Sequence, residues 1–522
     1  MPKIELYDTT LRDGAQSEGI SYSVNDKILI ARKLDEFGIN FIEAGWPANP
    51  KDQEVFKILK KKPLKFASLT AFGSTCRADK KPNNDPSIKS LLEAETKVIT
   101  IFGKTWDLHV KDVLRIPLDD NLKLIHNTVS YLASKGKTVI YDCEHFFDAY
   151  KSNPEYALKT ILAACEAGAS RVVFCDTNGG TLTSEIIHII HKIACEIKTP
   201  IGMHAHNDLG LAVANSIAAI ENGITQVQGT FNGYGERCGN ADLSTVIGIL
   251  KTKLSIDCIS DDKLKEMTKV SHFISEVSNM RQQTNQPFAG TSAFVHKGGV
   301  HIDAMLKNPK TYEHIDPALV GNHRRILASE LSGKMPIILK AKALELDLEK
   351  KSPKTQKILK LLQDLEHKGY QFEAADASFE LLIKRELKQY KSFFDLESFR
   401  VVIEKKPDGK INSEAIIKIK VKGVQEHTAA DGDGPINALD NALRKALKSF
   451  YPALAKMHLS DFKVRVLEEK AGTAAKVRVL IQSQDANDSW GTVGVSENII
   501  EASWQALVDS VEYKLLKDDK NA

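Results

Sequence analysis

Eight short runs of β-branched and apolar residues recur through the first 275 or so positions: residues 3–7, 40–44, 66–71, 98–102, 138–142, 171–175, 201–205 and 225–230. Successive runs begin about 25 to 40 residues apart, enough for one strand and the helix that carries the chain to the next parallel strand. Amphipathic stretches such as 25–37 and 155–167 fill the gaps, with Gly38 and Gly168 just past their ends as helix C-caps. Eight such units in about 250 residues predict a closed (β/α)₈ barrel rather than an open doubly wound sheet. A dinucleotide-binding sheet would want GxGxxG after the first strand, and LRDGAQ stands there instead.

The rhythm changes near residue 276. Gly, His and Pro punctuate residues 285–317, and residues 354–367 carry apolar side chains near helical spacing. A stretch of this length with its own helices is not a bare linker. The fold class is therefore α/β, with a barrel over 1–275, a mostly helical linker subdomain over 276–390, and a C-terminal α+β domain over 391–522. The charged run 349–354 reads as a solvated face or turn. In the last domain residues 416–421 (IIKIKV) alternate as a half-buried strand does. Gly434, Ala442, Ala446 and Leu447 recur 60 residues later as Gly494, Ala502, Ala506 and Leu507, which predicts two copies of a strand-strand-helix unit. Glycines ahead of both helices (Gly432, Gly434; Gly491, Gly494) could present backbone N–H groups to a carboxylate.

Composition removes several function classes. The 71 Lys and Arg nearly balance the 68 Asp and Glu, so the charge of +3 predicts neither a nucleic-acid nor a membrane partner. No run approaches the ~20 apolar residues that cross a bilayer. The chain opens directly in strand-like MPKIELYDTT, without a signal peptide. Seven cysteines without a CxxC pair argue for reduced thiols and a cytoplasmic location.

Barrel enzymes carry their chemistry at the C-terminal ends of the strands. Polar residues crowd that rim here: Arg12, Asp13 and Gln16 after the first run, Glu43 at the end of the second, and Glu144 and His145 after the fifth. Asp176, Thr177 and Asn178 follow the sixth, His204, His206, Asn207 and Asp208 sit on and after the seventh, and 232–240 (NGYGERCGN) follows the eighth. His204 and His206, two apart on a strand, point to one face. Imidazole suits Zn, Co, Mn and Fe, and Asp13 adds charge and a preference for hard ions. Two His, one Asp and an amide oxygen leave positions open for a bidentate substrate, as a catalytic site requires. The bland reading is a pair of ordinary strand histidines bonded at a loop. The glycine-rich 233–240 lacks the Lys-Ser/Thr of a phosphate-binding P-loop.

LYDTTLRDGAQ, HAHNDLG and NGYGERCGNADLS together resemble the 2-isopropylmalate synthase, homocitrate synthase and citramalate synthase family, and the similarity runs on through GGVHIDAM into the C-terminal module. Within that family YDCEHFFDAY (141–150), CDTNGG (175–180) and YEHIDPALVG (312–321) look most like its citramalate-forming members. The resemblance implies an acyltransferase that condenses acetyl-CoA with pyruvate and water, the first step of a threonine-independent route to isoleucine.

The resemblance also assigns residues. Asp13, His204, His206 and the Asn240 amide oxygen would hold a divalent ion, with Mn, Mg, Co and Zn all open. Arg12 would stabilise the developing alkoxide, though a surface ion pair is its alternative. Gln16 and Thr177 would hold substrate, while a loop-capping hydroxyl is the alternative for Thr177. Glu144 and His301 are the candidate bases for the acetyl methyl. His301, with Asp303 and Tyr312, would enter the active site of the partner subunit, which makes a homodimer obligatory. A loop histidine is the alternative for His301, and the reading retained for His296 and His314. Glu43 is open between tethering neighbouring groups and forming a barrel-mouth salt bridge. The C-terminal domain would bind isoleucine as effector, or serve dimerisation alone.

The common family form LRDGEQ has Glu where this chain has Ala15, which removes a carboxylate near the ion but none of its ligands. The sequence leaves three rivals: the same chemistry on 2-oxoisovalerate, a retro-aldol lyase on the same barrel, and an amino-acid-sensing protein with an inactive barrel.

Overall fold

The computed structural model describes residues 4–326, 353–372, 375–390, 392–467, 475–485 and 488–520. The chain divides into two compact units, residues 1–294 with 314–324, and residues 295–313 with 325–522.

In the first unit eight parallel strands close into a barrel in sequence order: β1 (Glu5–Asp8), β2 (Phe41–Gly45), β3 (Ser68–Ser74), β4 (Val98–Lys104), β5 (Thr138–Glu144), β6 (Arg171–Asp176), β7 (Ile201–Ala205) and β8 (Gln226–Gly229). The eight runs read from sequence are these strands. Closure is the ladder between β1 and β8, from Glu5 opposite Gln226 to Asp8 opposite Gly229. Helices Val24–Phe37 and Pro154–Glu166 occupy the predicted stretches, and Gly38 and Gly168 follow them at φ 105° and 95°, where a side chain would be strained. The third strand starts later than predicted because Asp35 accepts the backbone N–H groups of Lys65, Phe66 and Ala67 (2.7–2.8 Å), which holds them as a loop.

Apolar side chains on the outer strand faces pack against the helices, with Ile42, Ile99, Val139, Val172, Met203 and Val227 all fully buried. Inside, Tyr7, Val98, Ile140, Val173 and Cys175 plug the barrel. Above that plug the interior turns polar, with Asp142, His204 and Gln228 buried in the C-terminal halves of their strands and Glu43 and Thr100 buried within β2 and β4.

The second unit begins with a short parallel pair, β9 (Val295–His296) and β10 (Arg325–Ile326), and helix Gly299–Lys307. Helix Pro353–His367 covers the predicted helical stretch; residues 349–352 of the charged run lie outside the described residues. Two antiparallel three-stranded sheets follow, β11 (Asp395–Lys405), β12 (Ile411–Val421) and β13 (Val424–Gly432), then β14 (His458–Val466), β15 (Val477–Gln484) and β16 (Ser489–Ser496). Each sheet is followed by one helix, Pro435–Leu447 and Ile499–Lys520. On β12 Ser413, Ala415, Ile417, Ile419 and Val421 are buried and the lysines between them exposed, the alternation expected from IIKIKV.

The repeat is real, but its unit is three strands and a helix, and its offset is 64 rather than 60. Thr428 Oγ1 donates to the Ala442 carbonyl (2.9 Å), and 64 residues on Thr492 Oγ1 donates to the Ala506 carbonyl (2.8 Å). The two offsets differ by four residues, about one helical turn, so either one superposes small buried residues of the same helix face. In consequence Gly491 and Gly494 lie inside β16, not ahead of a helix. A Cβ on Gly494 would stand 2.0 Å from the Ala502 carbonyl oxygen, so that glycine serves the close approach of strand and helix. The second helix is capped by Asn498, whose Oδ1 accepts Ile500 N–H (2.9 Å); of the four glycines only Gly434 stands at a helix N-terminus.

The fully buried Thr492 hydroxyl predicts a cost of about 1–3 kcal/mol for Thr492→Val, and a smaller one for part-buried Thr428→Val, read from urea unfolding of the full chain.

Candidate active site at the barrel rim

The chain leaves β1 in a tight coil, with the Thr9 carbonyl accepting N–H from Arg12, Asp13 and Gly14 (3.1, 2.9 and 3.1 Å). That coil turns Asp13 over the barrel mouth, where it is 2% exposed. His204 is the next-to-last residue of β7 and His206 follows the strand, so both imidazoles arrive from the same side, with ring centroids 5.1 Å apart. Their Nε2 atoms stand 3.5 and 3.9 Å from Asp13 Oδ2. His206 forms a β-bridge with Asn240, and Asn207 N–H donates to the Gly239 carbonyl (2.9 Å), so the loop after β8 is laid against the end of β7. Gly239, at φ 84° with Gly233 O 1.9 Å from any Cβ, allows that return.

The Asn240 amide donates one hydrogen to Asp13 Oδ1 and the other to the Tyr234 carbonyl, both at 3.1 Å. With both hydrogens used, its Oδ1 is left buried and without a partner among the described residues. A buried amide oxygen without a donor costs about 1–3 kcal/mol. The ligand atoms of Asp13, His204 and His206 all lie within 4.8 Å of one another. Two donors each ~2.1 Å from one cation stand about 3.0–3.5 Å apart, close to the spacing seen. Burial would raise Asp13, but Arg12, His204 and His206 hold its carboxyl down at about 2. Burial, with His206 beside it, drops His204 to about 3, and burial lowers His206 as well. A carboxylate, two neutral imidazoles and an orphaned amide oxygen are the donor set that a divalent cation takes. The residues fit such an ion.

Arg12 reaches into the same space. Its Nε donates to Glu43 Oε1 (2.5 Å), its Nη1 to Asp13 Oδ2 (3.1 Å), and its guanidinium carbon lies 3.8 Å from the Phe72 ring centroid. Glu43, fully buried, also accepts from Tyr7 OH and from Thr9 Oγ1 (2.6 Å). Glu43 is thus both salt bridge and tether, and it aims Arg12. The cavity, about 250 Å³, is lined by Arg12, Asp13, Gln16, Glu144, Thr177, His204 and His206, and walled by Trp46, Phe72 and Phe102. Thr177 lines the cavity, and its hydroxyl accepts His145 N–H (2.9 Å), a loop-capping contact. Glu144 is ion-paired with Lys104 (2.5 Å). His301, Asp303 and Tyr312 belong to the second unit. There the His301 ring stacks on Tyr312 at 4.2 Å, both exposed, and Asp303 pairs with Lys307 (2.7 Å). The rim described above is built without these three.

Sequence reasoning passed over Asp142, Gln228, Lys104 and the three aromatic rings. Burial and Glu43 push Asp142 up to about 8 despite Arg12. Gln226 and Gln228, two amides on one face of a barrel strand, were a readable sign that this interior is polar.

Residues 3–274 match a family model described as HMGL-like, residues 288–369 one described as homocitrate synthase post-HMGL domain-like, and residues 373–515 the LeuA allosteric (dimerisation) domain. An (R)-citramalate synthase from Aquifex aeolicus is 54% identical over 99% of both chains, and one from Geobacter sulfurreducens 53% identical over 100% of this chain and 99% of its own. The chain belongs to the (R)-citramalate synthase family. A 2-isopropylmalate synthase from Methanocaldococcus jannaschii stands further off, 30% identical over 99% of this chain and 96% of its own.

The loops of this family member are stapled from below by Asp8, which accepts Thr10 N–H and Thr10 Oγ1–H (both 2.9 Å) while Thr10 Oγ1 accepts Phe231 N–H (2.9 Å). Burial pushes Asp8 up to about 7, so the fold keeps a proton that the unfolded chain releases near pH 4. Stability from this group is full below that pH, falls by about 1.4 kcal/mol per unit as pH rises, and is fully lost above pH 7. Asp8→Asn should remove that slope, measured by chemical denaturation from pH 4 to 8.

Proposed function

We propose that this chain is an acyltransferase that condenses acetyl-CoA with pyruvate and water to give (R)-citramalate and CoA. The observation that carries the reading is the convergence of Asp13, His204, His206 and the orphaned Asn240 oxygen beside the Arg12 guanidinium. The choice of pyruvate is supported by relatives named (R)-citramalate synthase at 54% and 53% identity. The small cavity with its aromatic wall supports it too.

A divalent cation held by Asp13, His204, His206 and Asn240 Oδ1 would, when bound, polarise the ketone of the oxo acid as a Lewis acid. Arg12, aimed by Glu43 and backed by Phe72, presents a fixed positive charge where the ketone oxygen becomes an alkoxide. Gln16 and Thr177 line the cavity where the pyruvate carboxylate would be held. Trp46 and Phe102 meet edge to face at 6.0 Å and exclude water from that wall. A base takes a proton from the acetyl methyl, the new C–C bond forms, and the alkoxide is protonated. Water then cleaves the thioester, and CoA leaves as the thiol. Glu144 at the rim is one candidate base. His301 is the other, acting with Asp303 and Tyr312 in the rim of a second subunit; its exposed position on a short helix supports that role.

A homodimer is supported by the LeuA (dimerisation) match over 373–515. Apolar side chains left exposed on the outer strands, including Val402 and Ile403 on β11 and Phe462, Val464 and Val466 on β14, support it as well. We place isoleucine as the effector of this domain and isoleucine biosynthesis as the pathway. All seven cysteines are free, which suits the reducing cytoplasm.

Thiol release from acetyl-CoA should be fast with pyruvate and slow with 2-oxoisovalerate; the reverse order would make the product 2-isopropylmalate. His204→Ala should abolish release, and Arg12→Lys should cut kcat by ~10²-fold or more, since a point charge cannot reproduce the aimed fork. Added isoleucine should lower the rate of the full chain, and unchanged kinetics at millimolar isoleucine would remove the effector from this account.

A further inference from the structure

Behind His204 lies a buried relay that none of the proposed catalytic steps uses. His204 on β7 stands opposite Gln228 on β8 in the ladder. Its Nδ1 is 3.2 Å from Gln228 Oε1, and Gln228 Nε2 donates to Asp142 Oδ1 on β5 (3.1 Å). The three side chains are 5%, 0% and 4% exposed, so water does not compete for these bonds. His206 is different: its Nδ1 is buried without a partner among the described residues. Of the two imidazoles, His204 alone is held in this way from inside the barrel.

We propose that Gln228, anchored by Asp142, is the positioning residue that sets the tautomer and ring angle of His204, so that its Nε2 lone pair faces Asp13 and a cation shared with it. The proposal rests on the cation reading above. An amide oxygen only accepts, so the atom opposite it must be Nδ1–H, and the free lone pair then sits on Nε2. Asp142 holds the amide this way round because its Oδ1 accepts from Nε2–H whether or not the other oxygen carries a proton. A hydrogen bond to the outer nitrogen of a ligating imidazole fixes its orientation and raises its basicity. The arrangement is an amide doing what a carboxylate or backbone carbonyl commonly does, and it costs the barrel interior no additional charge.

The test is a Co²⁺ titration of the purified, cation-stripped full chain, followed by calorimetry and by the visible absorbance of the bound ion, with the melting temperature of the cation-free protein as a check on folding. The parent should bind one Co²⁺ and His204→Ala should lose it. Gln228→Met, which removes the acceptor, should bind Co²⁺ about 10- to 100-fold more weakly with its melting temperature retained. Gln228→Glu, which restores an acceptor for Nδ1–H, should return to the parent's affinity. If Gln228→Met does not fold, Asp142→Ala, which leaves the amide in place but unanchored, should show the weakened binding instead. Parental affinity in Gln228→Met, or in Asp142→Ala where that variant carries the test, overturns the proposal. So does a Gln228→Glu protein as weak as Gln228→Met. Binding by the parent that is untouched by His204→Ala would overturn the cation reading itself and this proposal with it.

Discussion

The ladder between β1 and β8 is the contact on which everything else depends. Without it the eight strands would form an open sheet, and Asp13 and Asn240, 227 residues apart in the chain, would lie at opposite edges. With it, the loops after β1 and β8 become neighbours and close a ring of side chains over the barrel mouth. Parallel pairing has a second consequence. All eight C-terminal ends face one way, so every loop that follows a strand opens on the same rim.

The rim works electrostatically because the barrel interior beneath it is polar but organised. Glu43 is a fully buried carboxylate whose oxygens are met by Arg12, Thr9 and Tyr7, so its charge is matched rather than stranded. It returns that stability by holding one guanidinium at a fixed angle against Phe72. Asp142 sits deeper, and with its nearest amide partner it shapes the environment of His204. Arg12, Asp13 and the two imidazoles balance one another at close range. Arg12 keeps the carboxyl ionised and burial keeps the imidazoles neutral, the states in which such groups bind a cation.

The second unit is a lesson in how helical periodicity misleads. Small buried residues recur every fourth position along both helices, so sliding one copy by a turn still matches Ala with Ala and Leu with Leu. The contact that breaks the tie is between strand and helix, the threonine hydroxyl that each sheet sends to its helix carbonyl. Pattern within one element could not reveal it. The glycines changed meaning for the same reason: in the second copy Gly494 permits a close crossing, and an asparagine side chain does the capping.

Strand order, barrel class, the helix ends at Gly38 and Gly168, and the clustering of chemistry-bearing residues after the strands were all legible in the chain, because each is a property of local period or of one turn. HAHND announced two imidazoles on one face before any fold was known, since a strand repeats every two residues. The resemblance of three separated motifs supplied the remaining ligand position and the reaction to expect. What the linear order could not contain was the set of partners each polar group would meet. That Asn240 spends both amide hydrogens and leaves its oxygen without a partner among the described residues, that Glu43 meets Arg12, and that Gln228 stands against His204 Nδ1 while His206 Nδ1 meets none of the described residues are facts about distances between strands, and those distances exist only once the barrel has closed.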